Sequence, residues 1–191
     1  MKKNSVNLFY TLIVLILCSC QSEKQVNVYK VKKTDALLAK QNEKEKKSGL
    51  NWTAPNNWIE KKPTDFRLAS YDIKTSNGDL VDLSITVFPG DAGGIESNVN
   101  RWRRQINLTP LNLNGIMNEA LIESSMLGEY YVFDLFNQNN NQGMLATIIP
   151  NYNNSNSIKE TIFVKMMGSL QVLEELKYEF ELFCKSIHQL N

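Results

Sequence analysis

The run LVDLSITVF, residues 80–88, alternates apolar and polar side chains with a period of two. Leu83, Ile85 and Val87 point one way and Asp82, Ser84 and Thr86 the other, the pattern of a strand that buries one face of a sheet. An Asn-Gly-Asp turn signal stands just before it, at 77–79, and suits a type I′ hairpin because Asn-Gly tolerates positive φ. Upstream, FRLASYDIK alternates Phe66, Leu68, Ser70 and Asp72 against Arg67, Ala69, Tyr71 and Ile73, a strand with burial on both faces. Four more strands are expected at 120–127, 129–137, 143–150 and 160–168. The Asn-rich links QNNNQ and NYNNSNS read as exposed hairpin loops between them.

Two segments carry a helical period instead. From Leu170 to His188, the residues Leu173, Leu176, Phe180, Phe183 and Ile187 recur at 3-4 spacing, which predicts one helix face laid on a sheet. The other opens at Gly93-Gly94 and is closed before Thr109-Pro110, because a residue preceding proline is pushed out of helical geometry. The order is therefore β-β-α-β-β-β-β-α, an α+β fold in which an antiparallel sheet is flanked by helices.

Not all of the chain belongs to that fold. Residues 1–20, MKKNSVNLFYTLIVLILCSC, pair two lysines with an apolar run from Leu8 to Leu17 that is short for a bilayer span. The ending LCSC resembles a bacterial lipobox, with small Ser19 before Cys20. It implies a lipoprotein signal over 1–19, acylation (palmitate among the chains) of Cys20, and a membrane held through that lipid. Gln21 after the cysteine favours the outer membrane, facing the periplasm, over the inner membrane. Residues 20–48 are rich in Lys and Glu and poor in large apolar groups, so they are read as a tether. The folded domain is then 49–191.

Charge and cysteines narrow the function classes. The chain has 21 basic and 20 acidic residues, and losing Lys2 and Lys3 with the signal leaves 19 against 20. So even a balance argues against nucleic acid as a partner, whose binding depends on clustered phosphate neutralisation. With Cys18 removed and Cys20 acylated, Cys184 has no disulfide partner and reads as a buried thiol. No metal or cofactor motif is present. His188, four residues after Cys184, reads as a histidine completing a helix C-terminus. No catalytic residue is selected: there is no HExxH, no Walker loop and no triad in motif context, and PGDAGG lacks the Lys-Ser/Thr of a phosphate loop. Asp79, Asp82, Asp91, Glu96, Glu123 and Glu129 offer carboxylates, but nothing in their spacing picks a pair.

Candidate binding residues concentrate in GGIESNVNRWRRQINL, residues 93–108. Val99, Trp102 and Ile106 form an apolar edge for the sheet. Asn98, Arg101 and Gln105 form a polar stripe beside it, and Asn100, Arg103 and Arg104 point mostly to solvent. Two readings of the stripe stay open. Its side chains tie the Gly-rich loop and a strand end together, Arg satisfying several carbonyls at once, or with Arg67 and the N–H groups after Gly93-Gly94 they line a pocket for a polar or anionic ligand. Arg103 and Arg104 are the expected contacts for an envelope protein partner. Trp52, Trp58 and Trp102 read as packing residues.

The strings WTAPNNW, FRLASY, VFPGDAGG, NVNRWRRQ and FVKMMG, followed by the terminal amphipathic helix, resemble a group of bacterial exported proteins similar to the PsbP/DcrB-like superfamily. The similarity covers most of residues 50–188. It implies an α/β/α sandwich and a non-enzymatic role as an interaction or accessory module, since members of that superfamily are mostly non-catalytic. Arg104 stands where the commoner form of the run, RWRGQ, has glycine.

Overall fold

The computed structural model describes residues 49–190. The expected signal, Cys20 and the tether lie outside the described residues. Seven antiparallel strands build the main sheet: β2 (Trp58–Lys61), β3 (Ala69–Lys74), β4 (Leu80–Pro89), β5 (Leu121–Ser125), β6 (Gly128–Asn137), β7 (Gln142–Tyr152) and β8 (Ile158–Gly168). Their spatial order is β2-β3-β4-β8-β7-β6-β5. Two hairpin runs, β2–β4 and β5–β8, are thus joined by the non-sequential pairing of β4 with β8, in which Ser84 lies opposite Lys165 and Thr86 opposite Phe163. A separate two-residue ladder pairs β1 (Leu50–Asn51) with β9 (His188–Gln189) and brings the ends of the described chain together.

Helices cover both faces. On one, α3 (Leu170–Lys185) lays Val172, Leu173, Leu176, Phe180 and Phe183 on Tyr71, Ile73, Leu83, Ile85, Val164 and Met166. The aromatic rings of Trp52, Trp58, Tyr71 and Phe183 meet there, with centroids 5.0–6.5 Å apart. The indole N–H groups of Trp52 and Trp58 are satisfied by Tyr71 Oη and Glu179 Oε2. On the other face, α1 (Ile95–Gln105) and α2 (Leu113–Glu119) set Val99, Trp102, Ile106 and Ile116 against Phe133, Leu135, Met144, Ala146, Ile148 and Phe163. This is an α+β fold with helices on both sides of an antiparallel sheet, the α/β/α layering implied by the sequence resemblance.

Several expectations need correction. The strand expected from Phe66 starts at Ala69, and Phe66 itself is 83% exposed. The 77–79 turn is not type I′: of its residues only Gly78 has positive φ, its N–H donates to Thr75 O, and Thr75 Oγ1 holds the Asp79 N–H. Helix α3 stops at Lys185, so His188 is not at its C-terminus but in β9, with Nδ1 2.8 Å from Ser186 O. His188 and Cys184 therefore share no helical face. Helix α2 and the edge strand β2 are additions. Short, asparagine-rich LNLNGIMNEA offers only the Asn112 cap, whose Oδ1 accepts from Gly115 N, and Ile116 as its buried residue. Cys184 is buried as expected, and burial pushes its thiol well above the usual range.

Candidate functional site

Cross-strand partners share a face of a sheet, so the pairing registers read out the face beneath α1 row by row. One row runs Lys61 (β2), Ser70 (β3), Ser84 (β4), Lys165 (β8), Ala146 (β7), Phe133 (β6). Its second half is apolar and lies under Trp102. Its first half is polar, and the next row adds Asp72 opposite Asp82. The apolar residues of α1 and α2 pack with β6, β7 and β8, which leaves the β2–β4 half of this face without a helix.

Ion pairs furnish that open half. Lys61 Nζ lies 2.6 Å from both Asp72 Oδ1 and Asp82 Oδ1. Arg67 Nη1 donates to both oxygens of Asp82, at 2.9 and 2.8 Å, and to Ser70 Oγ at 3.4 Å. The two carboxylates hold the Lys61 ammonium in its charged form, raising its pKa. Lys165 sits in the opposite situation. Its one side-chain hydrogen bond goes to Gln105 Oε1 at 3.5 Å, and it makes no ion pair among the described residues. Burial lowers its pKa, helped by repulsion from Arg101 and Arg67 and opposed by Asp82. Arg101, exposed on α1, donates Nη2 to Asn98 Oδ1 at 2.8 Å and likewise meets no carboxylate among the described residues.

The candidate residues therefore separate. Gln105 bonds Lys165, Arg101 stands one turn before Gln105 on α1, and Arg67 bonds Ser70 in the row that holds Lys165, a residue that sequence reasoning passed over as one polar side chain in the apolar run TIFVKMM. The β4–β8 pairing that places it there spans 81 positions, so no local signal marks it. Asn98 is structural: buried, it donates to Ala92 O and Gly94 O at 2.9 and 2.7 Å and so closes the loop that opens α1. Gly93 and Gly94 have φ of 86° and 80°, which glycine adopts without strain. Their N–H groups are already taken by Asp91, Gly93 by the carboxylate and Gly94 by the carbonyl. The N–H groups expected to line a pocket with Arg67 are those after the glycines, on α1, and Arg67 is itself engaged by Asp82 and Ser70. A hollow of about 480 Å³ does lie beside the loop, but Glu96, Asn100 and Arg104 line it, not the stripe.

Two residues expected to face solvent do not. Asn100 bonds the Leu111 backbone in both directions, at 2.7 and 2.9 Å. Arg103 is only 8% exposed, donating Nε to Thr109 O at 2.8 Å and Nη1 to Glu119 Oε2 at 2.7 Å. Helix α2 and the link before it lie against this flank of α1 and consume both side chains. Of the two expected partner contacts, Arg104 alone is exposed.

No protein-family model matches the sequence, and no curated protein matches it. Among solved structures the chain is similar to the cyanobacterial PsbP (CyanoP) of Synechocystis sp. PCC 6803, at 16% identity and a TM-score of 0.45, over 91% of this chain and 98% of that one. It is also similar to a protein of Bacteroides thetaiotaomicron VPI-5482, at 10% identity and a TM-score of 0.39. That likeness covers 73% of this chain but spans only 44% of the other.

Proposed function

We propose that the protein is a lipid-anchored, non-enzymatic binding module of the cell envelope. On this reading, lipid on Cys20 holds it at a membrane, the outer membrane facing the periplasm, and residues 20–48 tether the domain. Its working surface is the helix-free half of the sheet under α1. The supporting observation is that this half-face is mostly polar, with Ile59 and Leu80 exposed toward its end, and uncovered, although the same strands bury a continuous apolar face beneath α3. A sheet face without a helix over it is open to a partner. The carboxylates there are engaged by Lys61 and Arg67, an arrangement suited to fixed recognition of charge more than to proton transfer.

Two measurements test the reading. Cys20→Ser should abolish incorporation of an alkynyl palmitate and move the protein out of the membrane fraction. A photo-crosslinking residue at Thr86, on the open half-face, should capture an envelope component that the same residue at Tyr178, on exposed α3, does not. Capture from Tyr178 alone, or from neither, would overturn the assignment of the surface.

A further inference from the structure

We propose that Lys165, Arg101 and Arg67, with the Ser84 hydroxyl beneath them, form a binding site for a phosphate-class dianion. The inference rests on the reading of the open half-face as the working surface and names the chemistry it recognises. Four cations, Lys61, Arg67, Arg101 and Lys165, face two carboxylates, Asp72 and Asp82. The excess is two positive charges. It rests on Lys165 and Arg101: Asp72 and Asp82 are paired with Lys61 and Arg67, while Lys165 and Arg101 make no ion pair among the described residues.

Lys165 lies across from Ser84 and bonds Gln105, one helical turn from Arg101, and Arg67 reaches Ser70 in the same cross-strand row, so three cations share one open patch. A bound anion satisfies all of the groups at once. The Arg fork matches tetrahedral oxyanions, and the ammonium supplies a point charge from below. Ser84 is buried at the floor, directly across from Lys165, and its hydroxyl is unengaged among the described residues. It can donate to an oxygen held between the two cations. Charge selects the class: a phosphate monoester near neutral pH carries about −1.5 to −2 and cancels the excess, whereas one carboxylate leaves half of it. The phosphate can be free in solution or the headgroup of a lipid, and the chemistry of the site is the same for both.

The test uses the full-length lipidated protein in nonionic detergent, with calorimetric titration of inorganic phosphate and, separately, of mixed micelles carrying phosphatidic acid. Saturable binding is expected for at least one of them. Lys165→Met and Arg101→Gln should each weaken it about tenfold or more, Lys165→Arg should restore most of it, and Arg104→Gln should leave it unchanged. Binding of inorganic phosphate identifies a soluble ligand; binding of phosphatidic acid alone identifies a headgroup. If neither titration distinguishes the wild type from Lys165→Met, or if Arg104→Gln weakens binding equally, the site is refuted. Should Lys165→Met fail to fold by circular dichroism, Arg101→Gln, altered at an exposed position, decides the question. Crosslinking from Thr86 without phosphate-class binding would sink this proposal and leave the binding-module reading standing; loss of both would sink both.

Discussion

Replacing Arg103 by alanine gives the sharpest test of how α1 and α2 are held together. The side chain is buried between them, with one N–H on Thr109 O and another on Glu119 Oε2. Truncation removes the bond to the Thr109 carbonyl, and a hydrogen bond from a charged donor contributes about 1.5 kcal/mol or more. The ion pair is worth less, about 0.5–1 kcal/mol, because the Glu119 side chain is 46% exposed and screened by solvent. The arginine stem, packed against the chain, adds about 1 kcal/mol of lost burial. The expected cost is therefore about 3 kcal/mol, which in a domain of this size lowers Tm by about 10 °C. Arg103→Lys keeps a charge for Glu119 but loses the planar fork that reaches Thr109, and should fall about halfway. Arg104→Ala, one residue on and exposed, should change stability by less than about 0.5 kcal/mol. Urea unfolding of the three variants, followed by circular dichroism, measures all of this. An Arg103→Ala loss no larger than that of Arg104→Ala would refute the buried role of Arg103.

Other consequences follow from the same geometry. Asn98→Ala removes two bonds to the Gly-rich loop and should cost about 2–3 kcal/mol in urea unfolding, while slackening the Arg101 side chain that Asn98 Oδ1 steadies. Gly143→Ala places a Cβ 2.7 Å from both Leu173 Cδ1 and Phe136 Cδ1 and should cost about 1–3 kcal/mol through overpacking against α3. Cys184 should resist a thiol-specific reagent in the native protein and react fully only in denaturant, because it is buried and its thiolate is disfavoured. Lys165 has a depressed folded-state pKa, so the native state releases its proton at lower pH than the unfolded chain does, and stability attributable to this residue rises with pH toward 10.5. Lys165→Met should therefore be more stable than the wild type near neutral pH, with an advantage that narrows as pH rises through that window. An advantage that grows with pH would show that Lys165 is not strained. Lys61 behaves oppositely: its raised pKa means its pairing is fully present below about 10.5 and fades as pH climbs past the folded-state value.

What was legible in advance followed from periodicity. A two-residue alternation writes burial directly into LVDLSITVF, and the 3-4 spacing of Leu173, Leu176, Phe180 and Phe183 does the same for α3, because both patterns come from local geometry. The packed edge of α1, Val99, Trp102 and Ile106, was legible for the same reason. Spacing put Arg103 off the packed edge of α1 and toward solvent, whereas the structure buries it. Spacing could not show that α2 would lie against that side, since a seven-residue helix with Asn112 and Gly115 carries almost no periodic signal. Asn100 went astray with it, being bound to Leu111 just before α2.

The candidate site divides in the same way. Arg67, Arg101 and Gln105 could be picked out as polar groups at fixed positions in a strand approach and a helix. Lys165 could not, because its role depends on which strand lies beside β8. That neighbour is β4, from the other hairpin run, and the choice sets Ser84 against Lys165 across a long loop closure that no local pattern encodes. The sequence by itself determined an antiparallel sheet flanked by helices, since each element must bury its own apolar stripe, and the resemblance implied the layering on both faces. Only the tertiary structure decided that α1 covers half of one face and leaves two basic side chains beside the open half, because that depends on pairing between distant strands.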